Sequence, residues 1–148
     1  MKQCRTPKSF LRQLSLSMVA AGVVLLLIAL YYRANPNTHL GSFFGNAIAD
    51  WTGVLMTVIM TKHLYEKGSA ESKKPKGKLR SAIMELLREH SLTLFLLITG
   101  IGWIVAFRSM DVNSKWGQVV GNIVSEWTQI LGLVLMTKRL IEVGSKAP

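Results

Sequence analysis

The sequence predicts an all-α, polytopic membrane protein with four transmembrane helices. Three features support this: long apolar blocks, basic residues gathered in particular segments between those blocks, and a two-helix unit that occurs twice. Apolar residues make up 49% of the 148-residue chain, and the mean hydropathy is +0.30. They are concentrated in blocks, each long enough to cross a hydrocarbon core of roughly 30 Å.

The first block, residues 14–32, contains no charged side chain and closes on Tyr31-Tyr32-Arg33, an aromatic and basic rim suited to a membrane interface. The basic start before it (Lys2, Arg5, Lys8, Arg12) resembles that of a secretory signal. The apolar run exceeds a signal's usual h-region and no small-x-small cleavage site follows, so it is read as a retained span. The third block, residues 91–107, is also uncharged, whereas the second, residues 43–61, and the fourth, residues 119–137, each contain one acid, Asp50 and Glu126.

Helix two is expected to start after the turn-forming Asn35-Pro36-Asn37, with Asn37 or Thr38 as cap, and to run to about Lys67, where Gly68-Ser69 ends it. Residues 70–77 form a lysine-rich linker. Residues 78–90 carry Leu79, Ile83, Leu86 and Leu87 at helical spacing, which suits an amphipathic helix lying on headgroups ahead of span three. The resulting organisation is a basic arm (1–13), a first two-span unit (14–69), a basic linker with its amphipathic helix (70–89), and a second two-span unit with a short tail (90–148).

The formal net charge of +10 reports topology. Lys and Arg concentrate in the amino-terminal arm, between Lys62 and Arg88, and at Lys138, Arg139 and Lys146, leaving only Arg33, Arg108 and Lys115 elsewhere. The positive-inside rule puts both termini and the central linker in the cytoplasm. Such a basic face attracts the anionic headgroups of the lipid bilayer, and the same charge has little bearing on nucleic acid. Cys4 is the only cysteine, so no disulfide framework or cysteine metal site arises. His39, His63 and His90 lack metal-ligand spacing. No nucleophile–base pair, phosphate-binding glycine loop or cofactor motif is present, and the polar segments are too short for a catalytic domain, so an enzyme is not expected.

A shift of 76 positions lays residues 15–69 on 91–145 without a gap. Gly41, Gly45, Asn46, Trp51 and Thr52 fall on Gly117, Gly121, Asn122, Trp127 and Thr128, and Asp50 falls on Glu126. Met60-Thr61-Lys62 repeats as Met136-Thr137-Lys138, and Glu66 with Gly68-Ser69 repeats as Glu142 with Gly144-Ser145. Since each unit crosses twice, both copies enter with the same orientation, and the expected arrangement is a four-helix bundle of parallel repeats with a pseudo-two-fold along the membrane normal.

Twelve residues separate Asp50 from Lys62, and Glu126 from Lys138, roughly 18 Å of helix, so both acids sit near mid-membrane at equal depth. A charge there is costly unless paired, hydrated or protonated. Asn46, Asp50, Gly53, Thr57 and Thr61 share one helical stripe, and Asn122, Ser125, Glu126 and Gln129 share another. Thr93 and Thr99 add hydroxyls on span three. The candidate ion- or proton-handling residues are therefore Asp50, Glu126, Asn46, Asn122, Thr57, Ser125 and Gln129, whose hard oxygen donors suit a cation or a proton. The same residues admit a second reading, in which Asp50 and Glu126 bond across to Asn122 and Asn46 as interhelical glue. A homodimer would allow a shielded pathway to form between protomers.

The segment Asn122-Ile-Val-Ser125-Glu126-Trp127-Thr-Gln129, with Met136-Thr137-Lys138-Arg-Leu140 and Gly144-Ser145 beyond it, resembles an uncharacterised family of small bacterial integral membrane proteins. Their pattern is Asn-x-x-Ser-Glu-aromatic-x-Gln leading a hydrophobic helix with a Gly-Ser end. The first copy matches at Met60-Thr61-Lys62 and Gly68-Ser69 but departs at Ala49-Asp50 and Gly53. The resemblance covers about half of each unit and implies a bacterial cytoplasmic (inner) membrane protein, with no established activity.

Overall fold

The computed structural model describes residues 10–69, 72–77, 81–138 and 140, with side chains described from residue 16 onward. The chain forms α1 (Phe10–Arg33), α2 (His39–His63), α3 (Ala82–Glu89), α4 (Ser91–Ser109) and α5 (Lys115–Met136). All but α3 are long and apolar enough to cross a membrane, the architecture of a multi-pass membrane protein. Cys4, Glu142 and the second Gly-Ser pair lie outside the described residues.

The two short connections that join α1 to α2 and α4 to α5 are built alike. Thr38 caps α2, its Oγ1 accepting from the Gly41 amide at 3.1 Å and donating to the Asn35 carbonyl at 2.7 Å. Ser114 caps α5 in the same way, accepting from Gly117 at 3.0 Å and donating to Asp111 at 2.6 Å. Each turn folds back so closely on the helix start that a side chain at Gly41 or Gly117 would collide with the carbonyl of Asn35 or Asp111.

Helix α1 packs on α2, α2 on α5, and α5 on α4, while α1 and α4 do not pack along one another. The four long helices are thus two hairpins joined through α2 and α5. Within each hairpin a glycine admits an aromatic ring: Gly45 lies against Tyr31, and Gly121 against Phe107. Tyr31 also ties the hairpins together at the turn end, donating to the Lys115 carbonyl at 2.7 Å and standing edge-on to Trp116. Lys115 Nζ returns the contact, donating to the carbonyl of Ala34 at 2.6 Å. The core between the hairpins is apolar, with Ile48, Ala49, Met60, Ile123, Trp127 and Val134 buried. The outer flanks of α1 and α4 are apolar and exposed, with Leu25 at 67% and Ile98 at 69%, as lipid contact requires.

At the opposite end the structure departs from expectation. Helix α2 stops at His63, not near Lys67, and Leu64 is extended with φ −108° and ψ 158°. The reason is competition for backbone partners. The Tyr65 amide donates to Ser91 Oγ at 2.9 Å, the Lys67 amide to the Glu89 carbonyl at 2.8 Å, and the Leu92 amide to the Tyr65 carbonyl at 3.2 Å. These bonds to the end of α3 and the start of α4 replace another helical turn, and Gly68 with φ +85° then reverses the chain. Helix α3 occupies residues 82–89 of the predicted amphipathic stretch, whose Leu79 lies outside the described residues, and leaves Ile83, Met84, Leu86 and Leu87 exposed.

Candidate functional site

Helices α2 and α5 lie side by side, and their four-residue periodicity brings Asn46 with Asp50 and Asn122 with Glu126 to the seam between them. Together with Ser125, these residues line a recess of about 240 Å³. Asn122 Nδ2 donates to Asn46 Oδ1 at 2.5 Å, a single bond that joins the two carboxamides across the seam. They do not bond to the acids as the glue reading expected. An amide carries both donor and acceptor, and an amide pair at equal depth closes without a carboxylate.

The acids meet each other instead. Asp50 lies within hydrogen-bonding reach of the Glu126 carboxyl, and Gln129 Nε2 donates to Glu126 Oε1 at 3.2 Å. Gly53 faces this carboxyl so closely that a Cβ there would stand 3.3 Å from Glu126 Oε2. Asp50, Asn46, Ser125 and Gln129 are exposed, while Glu126 and Asn122 are half-buried, so the recess opens to one side of the helix pair.

Six of the seven residues singled out from sequence thus come together. Thr57 does not: it lines a separate small hollow with Met60, Thr61 and Leu92, and its carbonyl accepts the Thr61 hydroxyl at 2.7 Å. Thr99 also serves elsewhere, accepting from Trp127 Nε1 at 2.9 Å and donating to the Phe95 carbonyl at 2.6 Å. Among the described residues no group of three or more His, Cys, Asp or Glu side chains is placed to hold a metal.

A second polar centre, at the end of the molecule that carries Lys62 and Lys138, is not apparent from the stripes. Glu66 is completely buried. Its Oε1 lies 2.5 Å from Lys138 Nζ and 2.7 Å from His90 Nδ1, and its Oε2 accepts from the Thr93 amide at 3.1 Å. Burial acts to raise the carboxyl's pKa, but the bonds from Lys138, Thr93 and His90 outweigh it and hold the group below its ordinary range. Lys138, read from the sequence as part of the basic cytoplasmic cluster, is tied to this carboxylate. Alongside it, Ser69 and Thr137 share a buried hydroxyl–hydroxyl bond of 3.0 Å. The available clue was the recurrence of Glu66 and Lys138 at repeat-equivalent positions with Glu142 and Lys62.

Comparison with protein-family models, curated proteins and solved structures finds no match for this chain.

Proposed function

We propose that this protein is a small cation- or proton-handling channel or transporter of a bacterial cytoplasmic membrane, with Asp50 and Glu126 as its ionisable pair. It is neither an enzyme nor a cofactor carrier in this reading. The observation that carries the proposal is the meeting of two carboxyl groups from different spans beside an open recess. Two carboxyls in contact within a low-dielectric layer require a shared proton or an intervening cation. Asn46, Asn122 and Ser125 offer further oxygen donors in the same recess, and among the described residues no basic side chain lines it.

Both termini face the cytoplasm in this proposal, supported by the clustering of Lys and Arg at one end of the spans. At that end the exposed apolar side of α3 and the exposed Lys73, Lys74 and Lys76 suit a surface of anionic headgroups. The tandem-repeat reading with a pseudo-two-fold along the membrane normal draws support from the carboxamide bond, which joins residues 76 positions apart, and from the two matching turns.

A second reading is favoured by one observation. The Asn46–Asn122 bond closes the α2–α5 seam directly, as an interaction or scaffold protein with polar interhelical glue would require. Reconstitution in liposomes separates the two readings. Ion handling calls for a pH- or cation-dependent flux that Asp50→Asn with Glu126→Gln removes while helix content is retained. Absence of flux in the wild type, with loss of assembly in the double variant, would establish the scaffold.

A further inference from the structure

The open side of the recess raises a problem that the isolated chain does not solve. Asn46, Asp50, Ser125 and Gln129 are exposed on one face of the α2–α5 pair, within segments long and apolar enough to cross a membrane. Lipid tails offer no hydrogen-bond partners, and a carboxyl or carboxamide turned toward them is strongly unfavourable. The flanking helices show how a lipid-facing side looks in this chain: α1 exposes Val19 and Leu25, and α4 exposes Ile98 and Val105. The central face instead sets polar side chains among apolar ones such as Leu133 and Met136.

We propose that this face is the interface between two copies of the chain, packed about a two-fold axis along the membrane normal. The chemistry of the face selects this occupant. Asn46, Gln129 and Ser125 each carry both a donor and an acceptor, so the surface is complementary to itself. Two copies inserted in the same sense meet about such an axis with equivalent residues at equal depth, which is the isologous arrangement. The face carries no basic residue among those lining its two recesses, so a copy of itself supplies amide and hydroxyl donors to Asp50 without like charges of lysine or arginine opposing each other. Gly132, beside Gln129 on the same surface, allows close approach.

Pairing also completes the site. The recess that is open in one protomer is closed by its partner, and the Asp50–Glu126 pairs of both copies border one central chamber shielded from lipid. The proposal deepens the ion-handling reading, but its foundation is polar exposure at membrane depth, so the two can fail separately.

The test uses the full chain in phosphatidylcholine–phosphatidylglycerol vesicles. With the only native cysteine removed (Cys4→Ser), single cysteines are placed at Ser125, Val19 and Ile98 and treated with a short bis-maleimide. Ser125→Cys is expected to give dimer bands in roughly tenfold excess over the two flank positions, given the bonds that hold the central face. Equal cross-linking at all three positions would overturn the interface. Independently, labelled wild-type chains diluted in lipid should bleach in two steps, and Ser125→Trp, which adds bulk on the face, should bleach in one while keeping its helix content. Single-step bleaching of the wild type would overturn pairing even if flux is present. Two-step bleaching with central cross-links supports pairing even if no flux is found, in which case only the ion-handling reading falls.

Discussion

Lys138, just beyond the last span, places its Nζ 2.5 Å from Oε1 of Glu66, a fully buried carboxylate on the segment that follows the second span. This pair joins the end of one hairpin to the end of the other. Removing one member of a buried pair leaves the other charge uncompensated, which costs about 3 kcal/mol or more. Lys138→Met should therefore lower the thermal unfolding midpoint in detergent markedly. Adding Glu66→Met to it should restore much of the loss, because an apolar pair of similar size requires no compensation.

The same carboxyl gives the protein an acid-sensitive contact. Glu66 titrates below its ordinary value of 4.5 in the folded chain, so protons bind it more readily once it is unfolded. Its contribution to stability is therefore complete above the ordinary value and is lost as the pH falls through the lower, folded one. Unfolding midpoints measured between pH 7 and pH 3 should fall at the acid end in the wild type. Glu66→Gln should flatten that part of the curve, and an unchanged slope would remove Glu66 as its source.

The glycines divide by what surrounds them. A side chain at Gly41 or Gly117 would strike the carbonyl of the preceding turn, and overpacking of this kind costs about 1–3 kcal/mol. Gly22 on α1 has nothing near it, and replacing a mid-helix glycine by alanine gains about 0.5–1 kcal/mol. Thermal scans of Gly41→Ala, Gly117→Ala and Gly22→Ala should therefore shift in opposite directions.

Trp127 is held by a bond from its Nε1 to Thr99 Oγ1 and by edge contact with Trp103 at 6.0 Å between ring centroids. A double-mutant cycle with Trp127→Phe and Thr99→Val should return a coupling of about 0.6–1 kcal/mol, the usual range for a polar bond between membrane helices. A coupling near zero would mean that ring packing alone positions the tryptophan.

Much of this architecture is legible in the residues. Unbroken apolar blocks locate the long helices, Thr38 is one of the two caps read for α2, and counting along a helix puts Asp50 and Glu126 at matching levels of α2 and α5. Depth follows from a fixed rise per residue, but azimuth does not. The direction in which each stripe faces depends on how neighbouring helices seat, which is why Thr57 and Thr99 fall away from the recess and the carboxamides pair with each other. The early end of α2 was hidden for a similar reason. Residues 64–67 have no local signal against helix strong enough to outweigh their periodicity, and the bonds that draw them out come from Glu89, Ser91 and Leu92. The depressed pKa of Glu66 likewise depends on His90, Thr93 and Lys138, all distant in sequence.

The Glu66–Lys138 contact also bears on how the protein is made. A chain synthesised from its amino terminus inserts the first hairpin and Glu66 long before Lys138 exists, so the carboxylate emerges ahead of its cation. A final helix running in the opposite sense would carry Lys138 to the other end of the hairpin and leave Glu66 with only His90 and the Thr93 amide. The contact thus records an order in time as well as in space: Glu66 takes up its lysine partner only after the last helix has been made and seated.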